Sequence, residues 1–165
     1  MGVSGCGKST VGQTLAQATQ WHMLEGDAYH APRSIAKMQA GIALTDEDRS
    51  GWLDRLAELL EQGTPPPGTV LTCSALKHKY RERLRAARPA GEVRFVFLDL
   101  TFEAALQRVQ ARAGHFFSPE LVANQFATLE RPEGEPGVLT VDATAPLDQI
   151  QQHVQQWLRT DHATA

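Results

Sequence analysis

The chain opens with the stretch Gly2-Val3-Ser4-Gly5-Cys6-Gly7-Lys8-Ser9, which fits the phosphate-binding pattern G-x-x-x-x-G-K-[ST] at every fixed position. Glycines leave room for backbone N–H groups to approach a polyphosphate, and the helix that follows adds the positive end of its dipole. Lys8 is expected to reach the terminal phosphates, and the Ser9 hydroxyl to hold Mg²⁺. The stretch, with Thr10 behind it, predicts a site for a nucleoside triphosphate.

The loop lacks the strand that normally precedes it. A phosphate-binding loop connects the carboxyl end of a buried strand to a helix, but only Met1 stands before Gly2. That strand is usually central in its sheet, so its absence leaves backbone groups unpaired in a slot. We therefore expect the natural protein to start further upstream.

Composition limits the classes of protein to consider. The chain has 165 residues, 42% of them hydrophobic, which predicts one domain over residues 1–165. The net charge is −3 with basic and acidic residues interspersed, so nucleic acid is not an expected partner, and no apolar run suggests a membrane span. Cys6 and Cys73 form no metal-type pair, which favours a reduced, cytoplasmic protein, and Cys6 is expected to fill space in the loop.

Helical and strand patterns alternate along the chain, which predicts an α/β fold with a parallel sheet, of the three-layer α/β/α type. Ligands of such sheets bind at the carboxyl ends of the strands. Asp27 follows the first predicted strand, where a carboxylate can accept a proton from an attacking hydroxyl; a turn-forming Asp is the alternative. Ser74 and Lys77 follow the second and are expected at the same edge, although Lys77 alone would be an ordinary solvated charge.

Several further motifs occur in the order found in the gluconokinase family, and the chain resembles that family over nearly its whole length. They are Gly2 to Thr10, Gly26-Asp27-x-x-His30, Lys37-Met38, Leu44 to Arg49, Trp52-Leu53, Cys73-Ser74-Ala75-Leu76-Lys77 with Tyr80-Arg81, and His115-Phe116-Phe117. The resemblance implies a P-loop kinase, related in architecture to shikimate and adenylate kinases. It implies transfer of the γ-phosphoryl of ATP to the terminal hydroxyl of D-gluconate, giving 6-phosphogluconate for sugar-acid catabolism and the pentose phosphate pathway. Ser34 departs from the family, which often has Asn there.

Within that interpretation, Arg49 is the candidate ligand of the gluconate carboxylate. It follows the acids Asp46 and Asp48 in a first helical turn, where a cation opposes the dipole and needs another reason to be present. A structural salt bridge to Asp46 or to a neighbouring residue is the alternative. Lys77 and Arg81 are expected to share the task.

A lid is expected around residues 108–130. Arg108 and Arg112 are spaced to close over the transferring phosphoryl, unless they form a solvated basic face. His115 is expected to shape the lid or touch substrate. His30 is expected either to bind a substrate hydroxyl or to cap the next helix.

Three rival interpretations stay open at this stage. Another P-loop small-molecule kinase, shikimate-like or acting on nucleoside monophosphates, would carry the same loop. A small GTPase would carry an Asn-Lys-x-Asp sequence, which this chain lacks. A truncated, inactive nucleotide-binding protein is the third interpretation. Separately, a homodimer of the active enzyme is compatible with the sequence.

Overall fold

A computed structural model describes residues 1–62, 68–111 and 118–160. The helices are α1 (Lys8–Thr19), α2 (Pro32–Gln39), α3 (Asp46–Glu61), α4 (His78–Arg85), α5 (Phe102–Gln110), α6 (Pro119–Thr128) and α7 (Leu147–Thr160). The strands are β1 (His22–Glu25), β2 (Thr69–Thr72), β3 (Phe95–Asp99) and β4 (Val138–Asp142), and a short 3₁₀ helix spans Gly26–Tyr29. The alternation of helix and strand that the sequence predicted is confirmed.

Helix starts follow local capping chemistry. Thr45 accepts from the backbone N–H of Asp48, whose carboxylate accepts from the N–H of Thr45, so both ends of the capping box are present. Thr101 and Ser118 cap α5 and α6 with one bond each, accepting from the backbone N–H groups of Ala104 and Leu121. Helix α4 begins at His78, because the preceding residue, Lys77, has an extended backbone with φ −100° and ψ 150°.

The strands form two separate parallel pairs rather than one sheet. β1 pairs with β2, and β3 pairs with β4, with His22 opposite Thr69 and Phe95 opposite Val138. Between β2 and β3 lies a cavity of about 710 Å³, bordered by both strands, α1 and Met1. We call this cavity the inter-sheet slot.

Backbone bonds of Met1 and Gly2 connect the two pairs at one end of the slot. The Met1 amino group donates to the Val96 carbonyl at 2.6 Å, and the Leu98 N–H donates to the Met1 carbonyl at 3.0 Å. Gly2 N–H donates to the Ser74 carbonyl at 3.1 Å. The position expected for a central strand is therefore where the described sheet divides.

Two groups of buried side chains stabilise this arrangement. One joins α1, β3, α5, α6 and α7, and includes Leu15, Leu98 and Val154. The other joins α3, α4 and β2, and includes Trp52, Leu56 and Leu84. Within the described ranges, no helix is both long and apolar enough to cross a membrane.

Candidate active site

The phosphate loop has the backbone conformation that its glycines allow. Gly5 and Gly7 have φ values of +85° and +92°, which other residues rarely adopt. A Cβ on Gly5 would also lie 2.9 Å from the Ala105 carbonyl oxygen. Gly7 is the N-cap of α1 and supplies no side-chain cap, so the first-turn N–H groups stay available to an anion. Cys6 and Val3 are buried beneath the loop and pack as small apolar side chains.

Lys8 lies folded across this loop. Its Nζ donates to the carbonyl oxygens of Gly2 and Val3, both at 3.1 Å. The side chain borders the smaller of the two cavities described here, as well as the inter-sheet slot. Ser9 and Thr10 are exposed in the first turn of α1. The ammonium group and the Ser9 hydroxyl thus lie at the same end of α1, as binding of a metal–triphosphate complex requires.

Arg108 approaches the loop from α5. Its guanidinium donates to the carbonyl oxygens of Gly5 at 3.3 Å and Ala143 at 2.9 Å. The side chain therefore joins the phosphate loop to the turn after β4, and it is not part of a solvated basic face. Arg112 and His115, the other predicted lid residues, lie outside the described residues.

A cavity of about 250 Å³ opens beside the loop, and we call it the acceptor cavity. Its lining combines polar and charged groups from six parts of the chain: Ser4 and Lys8; Asp27 and His30; Gln39; Arg49; Ser74; and Asn124 and Gln125. Apolar contacts come from Ile35, Met38, Ala43, Leu44 and Leu121. The structure thus brings Asp27 and Ser74, which follow β1 and β2, to the same cavity as Lys8, as the sequence predicted for strand ends at one edge, and it places His30 and Arg49 beside them.

Asp27 and His30 enter the cavity from the 3₁₀ helix. The Asp27 side chain is 69% exposed, and its Oδ1 lies 3.9 Å from His30 Nε2. His30 is buried and stacks on Trp52, with ring centroids 4.3 Å apart. Trp52 is held in turn by its indole N–H, which donates to the Gly26 carbonyl at 2.8 Å.

His30 is not a helix cap. Ala31 is the N-cap of α2, and no side chain caps that helix, so the capping alternative is wrong. Burial lowers the pKa of His30, and the nearby Arg49 charge lowers it further, whereas Asp27 opposes the shift. A neutral imidazole results, with a buried Nδ1 that has no partner among the described residues. Ser34, also fully buried, has an unpartnered hydroxyl in the same part of the structure.

Arg49 carries a buried positive charge at the edge of the cavity. It is the fourth residue of α3 and only 7% exposed, yet no side-chain hydrogen bond or ion pair holds it within residues 1–62, 68–111 and 118–160. The predicted alternative, a salt bridge to Asp46, is wrong. Asp46 instead binds Lys77 at 2.7 Å, Lys79 at 2.5 Å and the Tyr80 hydroxyl, and these bonds lower its pKa. A buried guanidinium of this kind is suited to bind an anionic ligand.

Lys77 and Arg81 do not join Arg49 at the cavity. Lys77 is the N-cap residue of α4 and is engaged by Asp46. Arg81 is 1% exposed, and its donors go to the Glu135 carboxylate and to the carbonyls of Ala75, Leu76 and Glu130. Because every N–H group of Arg81 already has an acceptor, the prediction that it binds substrate is corrected: it ties α4 to the segment after α6.

Three polar residues of the cavity lining, Gln39, Asn124 and Gln125, were not predicted from the sequence. Asn124 and Gln125 lie on α6, and Gln125 Oε1 accepts from the Ser4 backbone N–H at 2.6 Å. A polar pair on an amphipathic helix carries no local signal of such a role. Only the packing of α6 against α5 brings these side chains to the loop.

Known proteins resemble this chain in sequence and structure. A family model described as an AAA domain matches residues 1–132. A gluconokinase of Gluconobacter oxydans is 45% identical over 86% of this chain and 79% of its own length. The thermoresistant gluconokinase of Escherichia coli is 40% identical over 91% and 86% of the two chains. The crystal structure of a gluconokinase from Sinorhizobium meliloti aligns with a TM-score of 0.83 and 43% identity, over 92% of this chain and 85% of that one.

Proposed function

Because the chain belongs to the gluconokinase family, we propose that it transfers the γ-phosphoryl group of ATP to the terminal hydroxyl of D-gluconate, giving 6-phospho-D-gluconate. The observation that carries the proposal is the buried Arg49 guanidinium, which borders the same cavity as the phosphate-loop Lys8. A sugar acid offers that cation a carboxylate and offers the loop a hydroxyl. The bound acceptor then supplies the negative charge that no described residue pairs with Arg49.

The phosphate loop positions the nucleotide. The N–H groups at the start of α1 bind phosphate oxygens, and Lys8 exchanges its bonds to the Gly2 and Val3 carbonyls for bonds to the terminal phosphates. Arg108 contributes a second positive charge at Gly5. Catalysis then depends mainly on positioning and on neutralising the charge of the transferred group.

Mg²⁺ fits the exposed Ser9 hydroxyl, because that hydroxyl stands one residue after Lys8 at the open end of α1. When bound, the ion neutralises charge on the phosphate oxygens. We place the reaction in the cytoplasm, where ATP is supplied.

Asp27 acts on the acceptor. The hydroxyl oxygen attacks the γ-phosphorus in line, the bond from that phosphorus to the ADP oxygen breaks, and the hydroxyl proton passes to the Asp27 carboxylate. The Asp27 side chain is 69% exposed and lines the cavity, so its carboxylate is within reach of an acceptor hydroxyl bound there. His30 stacks on Trp52, and burial lowers its pKa. Its imidazole offers a hydrogen bond to a further hydroxyl.

Acceptor-dependent ADP release tests the proposal. Gluconate, shikimate and AMP are offered separately with Mg·ATP, and the phosphorylated product is identified by mass. We expect turnover with gluconate alone and none in Lys8→Met, a variant that keeps the length of the side chain. Preference for shikimate or AMP would assign another small-molecule kinase, and nucleotide binding without acceptor-dependent turnover would indicate an inactive nucleotide-binding protein.

A further inference from the structure

Helix α6 reaches the phosphate loop through one side chain. The Ser4 backbone N–H donates to Gln125 Oε1 at 2.6 Å, a bond between residues 121 positions apart. A backbone N–H can only donate, so the atom that faces it has to be the amide oxygen. The orientation of the Gln125 amide is therefore determined by its partner and not left to an arbitrary choice of oxygen and nitrogen.

The other end of the same amide borders the acceptor cavity. Gln125 is half-buried and lines that cavity, and no acceptor in the described part of the chain takes the hydrogens of its Nε2. Because the oxygen and nitrogen of one amide are adjacent, these two donors lie beside the phosphate loop. They are on the side of the cavity where the phosphoryl group is transferred.

The charged residues of the cavity do not provide every hydrogen bond that the acceptor needs. Arg49 provides a cation for a carboxylate, and Asp27 provides an acceptor for the reacting hydroxyl. A polyol acid also carries hydroxyl oxygens that need donors. A neutral donor that is fixed in direction binds them without attracting a second anion.

We propose that Gln125 is a specificity-determining residue of the acceptor site: Ser4 holds its carbonyl oxygen, and its amide N–H groups bind a hydroxyl oxygen of the sugar acid. The inference rests on the proposed function and names the side of the acceptor that α6 recognises. Recognition of the acceptor then also depends on the phosphate loop, because Ser4 is a residue of that loop and holds the Gln125 amide.

Two substitutions separate this role from a purely structural link between α6 and the loop. Gln125→Glu keeps an oxygen for the Ser4 N–H and nearly the same shape but removes the donor. Gln125→Met removes both the oxygen and the donor. If Gln125 only joins α6 to the loop, the loss caused by removing each hydroxyl of gluconate is the same in the parent chain and in Gln125→Met.

The test measures KM and kcat for gluconate and for a series of monodeoxygluconates, together with the Kd for Mg·ATP. We expect both substitutions to raise the KM for gluconate about tenfold, as for loss of one hydrogen bond in a buried site. The Kd for Mg·ATP should stay within about twofold, since Ser4 contributes its N–H to Gln125 and not to the nucleotide. Ala127→Met, at an exposed position of the same helix, is the matched control and should change neither constant.

The deoxy series provides the signature of direct contact. In the parent chain, one analogue should lose about tenfold in kcat/KM because it lacks the hydroxyl that Gln125 binds. In Gln125→Met, that analogue and gluconate should differ by less than about twofold. Equal penalties in parent and variant, or an unchanged KM in Gln125→Glu, would overturn the role of Gln125 while the proposed function stands. No gluconate turnover in the parent chain would overturn both.

Discussion

Replacing Arg49 with Met should weaken acceptor binding and stabilise the fold at the same time. Met keeps an unbranched apolar side chain in place of the Arg49 methylenes but removes the guanidinium. The two effects have one cause, because Arg49 is a buried cation that no described group pairs in the absence of ligand. Most substitutions in an active site change only one of these quantities.

The effect on binding follows from the lost carboxylate bond. A hydrogen bond to a charged group contributes about 1.5–3 kcal/mol, so the KM for gluconate should rise about 10- to 150-fold. The Kd for Mg·ATP should not change, because the cation serves the acceptor. Arg49→Lys keeps the charge without the paired geometry, and it should give an intermediate KM.

The effect on stability follows from two costs that the substitution removes. A cation in the first turn of a helix opposes the dipole by about 0.3–1 kcal/mol, and a buried unpaired charge adds desolvation. We expect the free energy of unfolding to rise by about 1–2 kcal/mol, which corresponds to a Tm increase of about 2–8 °C for a domain of this size. The pKa of His30 should also move upward, since the Arg49 charge now lowers it.

The assay combines thermal unfolding of the ligand-free protein with steady-state kinetics. Arg55→Met is the matched control: Arg55 lies on the same helix, is 47% exposed, and contacts Glu58 at 3.1 Å. That variant should change neither Tm by more than about 1 °C nor KM. A lower Tm together with an unchanged KM in Arg49→Met would refute the reasoning, because it would show that Arg49 stabilises the fold and does not bind the acceptor.

Three further results are expected. Asp27→Asn should lower kcat about 10²- to 10⁴-fold with little change in Tm or in the Kd for Mg·ATP, and equal losses of binding and turnover would reassign Asp27 to folding. The bonds from Arg81 and His78 lower the pKa of Glu135 from 4.5 to about 2, so its contribution to stability is complete above pH 4.5 and is lost as the pH falls towards 2. Glu135→Gln should therefore have a lower free energy of unfolding at pH 7, and in that pH window its free energy of unfolding should change less with pH than that of the parent chain. Identical acid unfolding curves for parent and variant would contradict this. Five apolar β-branched residues added before Met1 should raise Tm by at least about 5 °C by filling the inter-sheet slot and pairing its strands, whereas a Gly-Ser extension of equal length should not; equal Tm values would exclude strand insertion.

Local chemistry was readable from the sequence. The loop glycines, the caps at Thr45, Thr101 and Ser118, and the alternation of strands and helices all depend on residues a few positions apart. Asp27, His30 and Ser74 were predicted because parallel strands bring their carboxyl ends to one edge.

The bonding partners of the long charged and polar side chains were decided only by the tertiary structure. Lys77 and Arg81 stand one turn apart as the sequence shows, but Asp46 engages the first, and Glu135, 54 residues away, engages the second. Gln125 reaches Ser4 although the two residues are 121 positions apart in the sequence. A cap or a turn is selected by its immediate neighbours, whereas a flexible side chain pairs with whichever segment the packed helices bring within its reach.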